Sequence, residues 1–287
     1  MIHATTSSQG PGVELARSLL FVPGDRSDRF TKAAASEADV VVCDLEDSVA
    51  PAAKGPARDN VAAWLTHGGV AAVRVNSVDS PWHEPDCSAL RGLNGLLAVI
   101  VPKSEDPEAL STLHQQLGGH VPVIALVETA LGLHRAYQLA AAAGVVRLAF
   151  GAVDFALDTG AGEDDLALLY ARSALVVASR AAGNAQPIDG VTLALDDPLL
   201  AGANATSARR LGFAGKLCIH PSQVPVVNAA FTPTSQAVDR ARHIVQATAD
   251  GTAARVEGQM VDAPVLERAK QVLRQANRWS MFPQKRS

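Results

Sequence analysis

Eight short apolar runs recur along this chain of 287 residues, and longer segments of mixed polarity separate them. Most of the runs are continuous rather than alternating, which is typical of strands that are covered on both faces. Such strands build parallel sheets flanked by helices. We therefore predict eight strands, at residues 18–22, 40–44, 71–75, 97–101, 123–127, 146–150, 190–193 and 217–219.

The segments between the runs carry helix signals. Ser27 and Pro107 stand where helices would begin, and Gly68, Gly144 and Gly212 stand where helices would end. Serine caps helix starts, proline suits a first turn, and glycine suits the residue after the last turn. Helices are predicted at residues 27–38, 55–67, 106–117, 129–143, 163–182 and 198–211.

Eight strands that alternate with helices predict an α/β fold, a (β/α)₈ TIM barrel. The weakest unit is 76–96, which is predicted to be mostly loop because Pro81, Pro85 and Gly92 interrupt it. A doubly wound open sheet has the same local pattern, and the count of eight favours the barrel. The sequence contains neither the glycine-rich dinucleotide fingerprint nor a Walker-type phosphate loop.

Three regions are predicted along the chain. Residues 1–14 are polar and rich in small residues, which indicates a flexible leader. Residues 15–232 would form the catalytic barrel, and residues 233–287 a C-terminal helical extension. Helices are expected at 233–248 and 264–278 of this extension, which would act as a lid or as an arm swapped onto a neighbouring subunit.

Charge and composition exclude several classes of protein. The net charge of −4 and the pI near 6.1 argue against a broad surface for nucleic acid or anionic membrane. The sequence contains no secretory signal and no apolar stretch long enough to span a membrane, so we expect a cytoplasmic protein. The three cysteines, Cys43, Cys87 and Cys218, lack zinc-like or disulfide-like spacing and are expected to be buried thiols.

A pair of acids follows two successive predicted strands. Glu128 comes directly after the fifth run, and Asp154 comes four residues after the sixth. Carboxylates at the ends of neighbouring parallel strands can meet, and oxygen ligands suit a hard ion such as Mg²⁺. Either acid alone could instead cap a helix.

Other polar residues follow the remaining strands, at the end of a barrel that carries the chemistry. Arg74 could bind a ligand or pair with Asp44 or Glu46, and Lys103 could act in the site or be a structural ion-pair partner. His220 is more typical of a hydrogen-bonded structural residue. The rim residues at these strand ends are Pro23, Gly24, Asp25, Arg26, Asp44, Glu46, Asp47, Arg74, Asn76, Lys103, Glu128, Asp154 and His220.

Taken in order, the motifs at these positions resemble the citrate lyase beta subunit family. This family is part of the HpcH/HpaI aldolase/citrate lyase superfamily of metal-dependent (β/α)₈ aldolases and lyases. The resemblance runs from about Arg17 to about Arg278. It rests on RSLLFVPG at 17–24, DLEDSV at 44–49, VRVN at 73–76, VPK at 101–103, ET at 128–129, FGAVD at 150–154, CIHPSQ at 218–223 and GQMVD at 258–262.

The resemblance implies a Mg²⁺-dependent carbon–carbon lyase of the oxo-acid type. Its members cleave citryl, malyl or citramalyl thioesters into an acyl thioester and a 2-keto acid. By position, Glu128 and Asp154 match the metal ligands, Arg74 a substrate-binding arginine and Asp262 an acid/base in the C-terminal segment. Asp262 could instead cap the helix that follows it. Glu46 and Asp47 are expected to act in catalysis by orienting metal-bound waters, and the expected substrate contacts are Arg74, Glu128, Pro23, Gly24 and Gly151.

The expected partners are small molecules, a CoA thioester and a 2-keto acid, and further copies of the chain in a homo-oligomer, a trimer or hexamer. If Asp262 is supplied by a neighbour, the site is shared between subunits. Three other functions remain open: the beta subunit of a citrate lyase complex that uses an acyl carrier protein, a hydroxy-keto-acid aldolase, and a non-catalytic scaffold. The intact acid pair and Arg74 argue against the scaffold.

Overall fold

The computed structural model of the protein describes residues 12–248, 254–256 and 259–280. Eight parallel strands pair in chain order, and the first pairs with the eighth, so that the sheet closes into a barrel. This confirms the predicted (β/α)₈ fold. The strands are β1 Ser18–Pro23, β2 Val40–Asp44, β3 Ala71–Arg74, β4 Leu96–Val101, β5 Val123–Val127, β6 Val145–Phe150, β7 Ile188–Asp189 and β8 Gly215–Cys218.

The prediction for β7 was wrong, because this strand ends before residues 190–193 begin. The apolar Val191 and Leu193 of that segment line a cavity instead of pairing in the sheet. The predicted β8 started two residues late, since Lys216 concealed the strand in the sequence. Lys216 is buried, and its charge is matched by Asp189 at the end of β7.

Helices surround the strands and mostly lie where the sequence places them. The C-cap residue Gly212 has a φ of +113°, a conformation that glycine adopts without the steric cost of a Cβ. The helices up to the eighth strand are α1 Phe30–Ala34, α2 Lys54–Thr66, α3 His83–Leu90, α4 Pro107–Gln116, α5 Ala130–His134, α6 Ala136–Ala141, α7 Ala152–Thr159, α8 Leu169–Ala181 and α9 Pro198–Leu211; α10 Gln223–Phe231 follows it.

Several helix predictions need correction. Ser27 does not cap α1: it begins a short 3₁₀ turn, and the residue before that turn makes no side-chain cap. The predicted loop 76–96 contains α3, because Pro85 lies in the first turn, where proline is tolerated. Residues 163–168 precede α8 rather than belonging to it, and α7 and α10 are additional helices.

The barrel interior is apolar along its length and closed at the bottom by a buried arginine. Small and branched side chains from all eight strands fill it, including Val42, Ile100 and Leu126. Arg147 on β6 donates hydrogen bonds to the main-chain carbonyls of Val13 and Ala16, and also to Gln186 and Pro187. Burial lowers the pKa of this guanidinium to about 9. The amino-terminal end of the barrel is therefore filled, and the cavity lies at the carboxyl ends of the strands.

The chain forms two compact units, one ending at Asn228 and the other beginning at Ala229. In the second unit, α11 Ser235–Ala247 and α12 Ala263–Ser280 pack through Ala241, Ile244 and Ala269. Strands β9 Ala254–Val256 and β10 Gln259–Val261 form an antiparallel pair. The domain boundaries and the lid or arm role stay predictions. Among the described residues, no helix is both long and apolar enough to cross a membrane.

Candidate active site

A cavity of about 440 Å³ lies at the carboxyl ends of the strands. It brings together Arg74, Glu128 and Asp154, as the strand order predicts. Pro23, Asp47 and Gly151 also line it. The remaining lining residues are Phe21, Asp44, Ser48, Leu126, Phe150, Ala152, Val153, Val191, Leu193, Leu217 and Ile219.

The two acids reach this cavity from adjacent strands. Val127 of β5 is level with Phe150 of β6, so Glu128 and Gly151 leave the sheet side by side. Glu128 is buried, with 2% of its surface exposed, whereas Asp154 lies in the first turn of α7 and is partly exposed. The sequence prediction that these carboxylates share one site is consistent with this geometry.

Two glycines permit the close approach of chain segments around the site. A Cβ on Gly151 would collide with the Glu128 side chain, so only glycine lets β6 pass this carboxylate. A Cβ on Gly24 would lie 2.9 Å from the main-chain oxygen of Asp44, to which the Gly24 N–H donates a hydrogen bond. Gly24 therefore shapes the rim without itself lining the cavity.

The end of β4 holds Glu128 in place. Lys103 has a φ of +48°, which is strained for a side chain with a Cβ, and its main-chain N–H donates to Glu128 Oε1 at 2.7 Å. Lys103 Nζ lies 2.8 Å from Glu46 Oε1 and 3.9 Å from Glu128 Oε1. The unusual backbone conformation of Lys103 thus directs its N–H to Glu128, and its ammonium lies between Glu46 and Glu128.

Arg74 lines the cavity and is ion-paired at the same time. Its Nε and Nη2 each donate to an oxygen of Asp44 at 2.7 Å, and its Nη1 lies 2.9 Å from Glu46 Oε2 and 3.7 Å from Asp47 Oδ2. The guanidinium also stacks over Phe21, 4.8 Å from the ring centre. Burial alone would raise the pKa of Asp44, but the Arg74 hydrogen bonds outweigh it and lower this pKa. Arg74 is therefore held rigidly by carboxylates on β2 and the loop after it.

Lys54 supports the site from outside the cavity, and the sequence did not indicate it. Its buried ammonium donates to the main-chain oxygens of Leu45 and Glu46 at 2.7 and 2.8 Å, and to Asn76 Oδ1 at 2.7 Å. Asn76 in turn donates to Asp86, which accepts from Arg58. A lysine at the start of a helix usually signals nothing more than a solvated surface, so no sequence signal marked it.

Burial makes Glu128 an unusually weak acid. Desolvation, together with the nearby Glu46 and Asp154 carboxylates, raises the pKa of Glu128 to about 8. Burial also raises the pKa of Glu46, although Arg74 and Lys103 oppose this shift. A buried carboxylate with negative neighbours is an environment that a cation would relieve.

The donor set fits a hard divalent ion bound by few protein ligands. In the part of the chain that the structure describes, no three Asp, Glu, His or Cys side chains are placed to hold a metal. Mg²⁺ commonly uses one or two carboxylates and completes its octahedron with water and substrate oxygens. Glu128 and Asp154 match that requirement.

The raised pKa of Glu128 predicts how stability depends on pH in the metal-free protein. Between its ordinary pKa of 4.5 and about 8, the folded protein holds a proton that the unfolded chain releases. Stability should therefore fall as pH rises through this window, by up to about 1.4 kcal/mol per pH unit from this group. Glu128→Gln cannot titrate and should lose that part of the slope. Urea unfolding in EDTA from pH 5 to 8.5 measures the free energy of unfolding at each pH. If this free energy changes with pH by the same slope in the parent and in Glu128→Gln, the raised pKa of Glu128 is contradicted.

The other predicted residues lie as follows. Asp262 is exposed and precedes α12, where its Oδ1 accepts a hydrogen bond from the Val265 N–H at 3.2 Å, so it caps that helix. A catalytic role for Asp262 stays a prediction. His220 is exposed, and its ring bonds to Ser222. The three cysteines are free and buried, as expected.

Comparisons with known proteins agree with this fold. Residues 17–221 match the family model HpcH/HpaI aldolase/citrate lyase, and residues 203–281 match a C–C bond lyase of the TIM-barrel fold. These matches define the class of protein, a carbon–carbon lyase that acts on oxo acids. The chain belongs to the HpcH/HpaI aldolase/citrate lyase family.

Three relatives illustrate the likeness. A citrate lyase subunit beta-like protein of Deinococcus radiodurans is 38% identical over 90% of this chain and 96% of its own. A (3S)-malyl-CoA thioesterase of Cereibacter sphaeroides is 31% identical over 93% of this chain and 96% of its own. The crystal structure of CitE from Mycobacterium tuberculosis in complex with magnesium, acetoacetate and coenzyme A is 35% identical, with a TM-score of 0.80 over 92% of this chain and 100% of that one.

Proposed function

We propose that this enzyme is a Mg²⁺-dependent lyase that cleaves a β-hydroxyacyl-CoA thioester to an acyl-CoA and a 2-keto acid. The observation that carries the proposal is the pair Glu128 and Asp154 at one cavity with Arg74. The related CitE crystallised with magnesium, acetoacetate and coenzyme A supports the ion and the thioester carrier, and a structure of CitE with magnesium and pyruvate supports a 2-keto acid. The malyl-CoA name of a second relative is consistent with the same substrate class.

In this proposal Glu128 and Asp154 hold the ion. Mg²⁺, when bound, supplies a Lewis acid that lowers the pKa of the substrate's β-hydroxyl and polarises the carbonyl formed from it. Glu128 is oriented by the Lys103 N–H and is close-packed against Gly151, so its carboxylate has little freedom to move. The fold has therefore already fixed this ligand, so metal binding costs little side-chain entropy.

Cleavage needs the β-hydroxyl to give its proton to solvent water and the carbon–carbon bond to break. The electron pair of that bond passes to the thioester fragment as an enolate, and an acid then protonates its carbon. Arg74 has five N–H donors, and it donates two of them to Asp44 while Nη1 forms an ion pair with Glu46. It therefore retains donors for a substrate carboxylate or oxyanion. Asp262 is the proposed acid.

Glu46 and Asp47 differ in their surroundings, and so in the roles proposed for them. Glu46 is buried between Arg74 and Lys103, which suits it to positioning both cations. Asp47 lines the cavity with its side chain 59% exposed, which suits it to binding water near the ion. The apolar walls of the cavity limit the access of bulk water to the enolate.

The proposal is tested by offering malyl-, citramalyl- and citryl-CoA to the purified protein. Release of acyl-CoA and of a 2-keto acid, measured by mass spectrometry and as a phenylhydrazone, is expected with Mg²⁺ and not with EDTA. Citryl bound to an acyl carrier protein is included because carrier-dependent cleavage is the main alternative. The absence of keto acid from all CoA thioesters in the presence of Mg²⁺ would refute the proposal.

Replacement of Arg74 by Lys should lower kcat/KM by about 100-fold, because a point charge cannot reproduce a planar fork. Arg17→Lys is the matched control. Arg17 forms the same two-point pair with Asp39, at 2.9 and 2.8 Å and with similar burial, but directly before β1 at the other end of the barrel. Both variants should lose similar stability, and only Arg74→Lys should lose turnover. Equal activity of the two would make Arg74 a structural ion pair alone.

A further inference from the structure

We infer that Lys54 is a positioning residue for this reaction: its ammonium fixes the loop after β2 and thereby sets the counter-ions that hold Arg74 in the cavity. The inference rests on the proposed function. Lys54 itself does not line the cavity, so it acts through other groups rather than on substrate.

The contacts of Lys54 are complete and specific. An ammonium has three N–H donors, and Lys54 directs them to the main-chain oxygens of Leu45 and Glu46 and to Asn76 Oδ1, all within 2.8 Å. Its ring contact with Trp82, 5.4 Å from Nζ to the ring centre, adds to the fixation. None of these hydrogen-bond partners is a carboxylate, and the nearby carboxylates, Asp44 and Glu46 foremost, interact with the ammonium through space.

Those carbonyls belong to the segment that controls Arg74. Leu45 and Glu46 directly follow Asp44, whose two oxygens take up Arg74 Nε and Nη2. Glu46 is also the partner of Arg74 Nη1 and of Lys103 Nζ. Arg74 and Lys103 contact different oxygens of the Glu46 carboxylate. A shift of this segment therefore moves both side chains.

The second anchor of Lys54 ties this segment to the rest of the barrel. Asn76 follows β3, the strand that carries Arg74, and both its amide and its main-chain N–H donate to Asp86 of α3. Arg58 of α2 neutralises Asp86. Lys54 thus joins the ends of β2 and β3 in a fixed register, and it does so from the start of α2, without touching Glu128 or Asp154.

The expected signature separates positioning from general stability. Loss of the ammonium leaves the Leu45 oxygen and Asn76 Oδ1 without this donor, while the Glu46 oxygen keeps the Val49 N–H. The loop should therefore rearrange and Arg74 should move. Lys54→Met should lower kcat/KM for the thioester that the parent cleaves by about 100-fold, the effect of misplacing a binding group by about 1 Å. Lys54→Gln, which can donate to only two acceptors, should show an intermediate loss of about tenfold. The affinity for Mg²⁺ alone, measured by calorimetry, should stay within about twofold in both variants, because the Lys103 main-chain N–H, rather than the loop after β2, holds Glu128.

Lys216→Met is the matched control. Lys216 is a buried lysine that donates to Asp189 and to the main-chain oxygen of Gly190, and Asp189 keeps Arg172 as a second partner. This variant should lose thermal stability comparably and keep kcat/KM within about threefold, because it lies on β8, away from the loop after β2.

The outcomes are distinct. A kcat/KM that is highest in the parent, lower in Lys54→Gln and lowest in Lys54→Met, at constant Mg²⁺ affinity, supports the positioning role. Unchanged kcat/KM in a destabilised Lys54→Met protein, or joint loss of Mg²⁺ affinity and turnover, overturns it. If Lys54→Met does not fold, Lys54→Gln decides by the same two readouts. A parent protein that cleaves no thioester of the panel refutes the proposed function instead, and the inference that rests on it falls too.

Discussion

Glu128→Gln and Asp154→Asn are each expected to lower Mg²⁺-dependent turnover by at least about 10³-fold while the protein stays folded, because each removes half of the protein's charge on the ion. Glu128 is the more sensitive of the two. It is buried, and the Lys103 N–H and Gly151 fix its carboxylate in one position. An amide keeps the shape and one oxygen but not the charge, so ion binding should weaken before any step of chemistry is reached.

The measurement is Mg²⁺ affinity by calorimetry alongside kcat as a function of Mg²⁺ concentration. Asp158→Asn is the control, because Asp158 lies on α7 like Asp154 but does not line the cavity. Its exposed carboxylate accepts a hydrogen bond from the Ala130 N–H. This variant should retain both quantities. A folded Glu128→Gln or Asp154→Asn protein with normal Mg²⁺ dependence would show that the ion, if any, is held elsewhere.

The sequence was sufficient for the fold and for the acid pair because both depend on strand order. Parallel strands in chain order bring the residues after β5 and β6 together whatever the loops do. The prediction of strand β7 was wrong for a physical reason. Two residues pair, and the apolar residues that follow serve a cavity wall, which carries the same apolar signal as a strand.

The sequence offered Lys103 as an ion-pair partner, which it is for Glu46, but it could not predict how the supporting groups act. Lys54 acts through main-chain oxygens, which every residue possesses, so its partners leave no pattern. Lys103 acts through a left-handed backbone angle that non-glycine sequences do not reveal. The open alternatives for Arg74, a ligand role or an ion pair, also proved to be compatible, since the side chain lines the cavity while bound to Asp44.

Asp262 poses the sharpest remaining choice, because the side-chain hydrogen bond that it makes among the described residues is structural. Its Oδ1 caps α12 through the Val265 N–H. Asparagine is as good an N-cap as aspartate, so Asp262→Asn should preserve the helix and the thermal stability. It removes the carboxyl group that would protonate the enolate. If Asp262 is the acid, the variant should lose at least about 100-fold in kcat with normal Mg²⁺ affinity, and an active Asp262→Asn enzyme would leave only the cap.

Mixing then decides which chain supplies Asp262. Arg74→Ala and Asp262→Asn proteins are each expected to be nearly inactive. If a neighbour provides Asp262, random exchange of equal amounts of the two gives about a quarter of the sites an intact Arg74 from one copy and an intact Asp262 from another. Activity should recover to about that fraction of the parent's. Exchange is verified by pull-down of one tagged variant, and the parent mixed with either variant controls for dilution. Proven exchange without recovery would place Asp262 and Arg74 of each working site in the same chain.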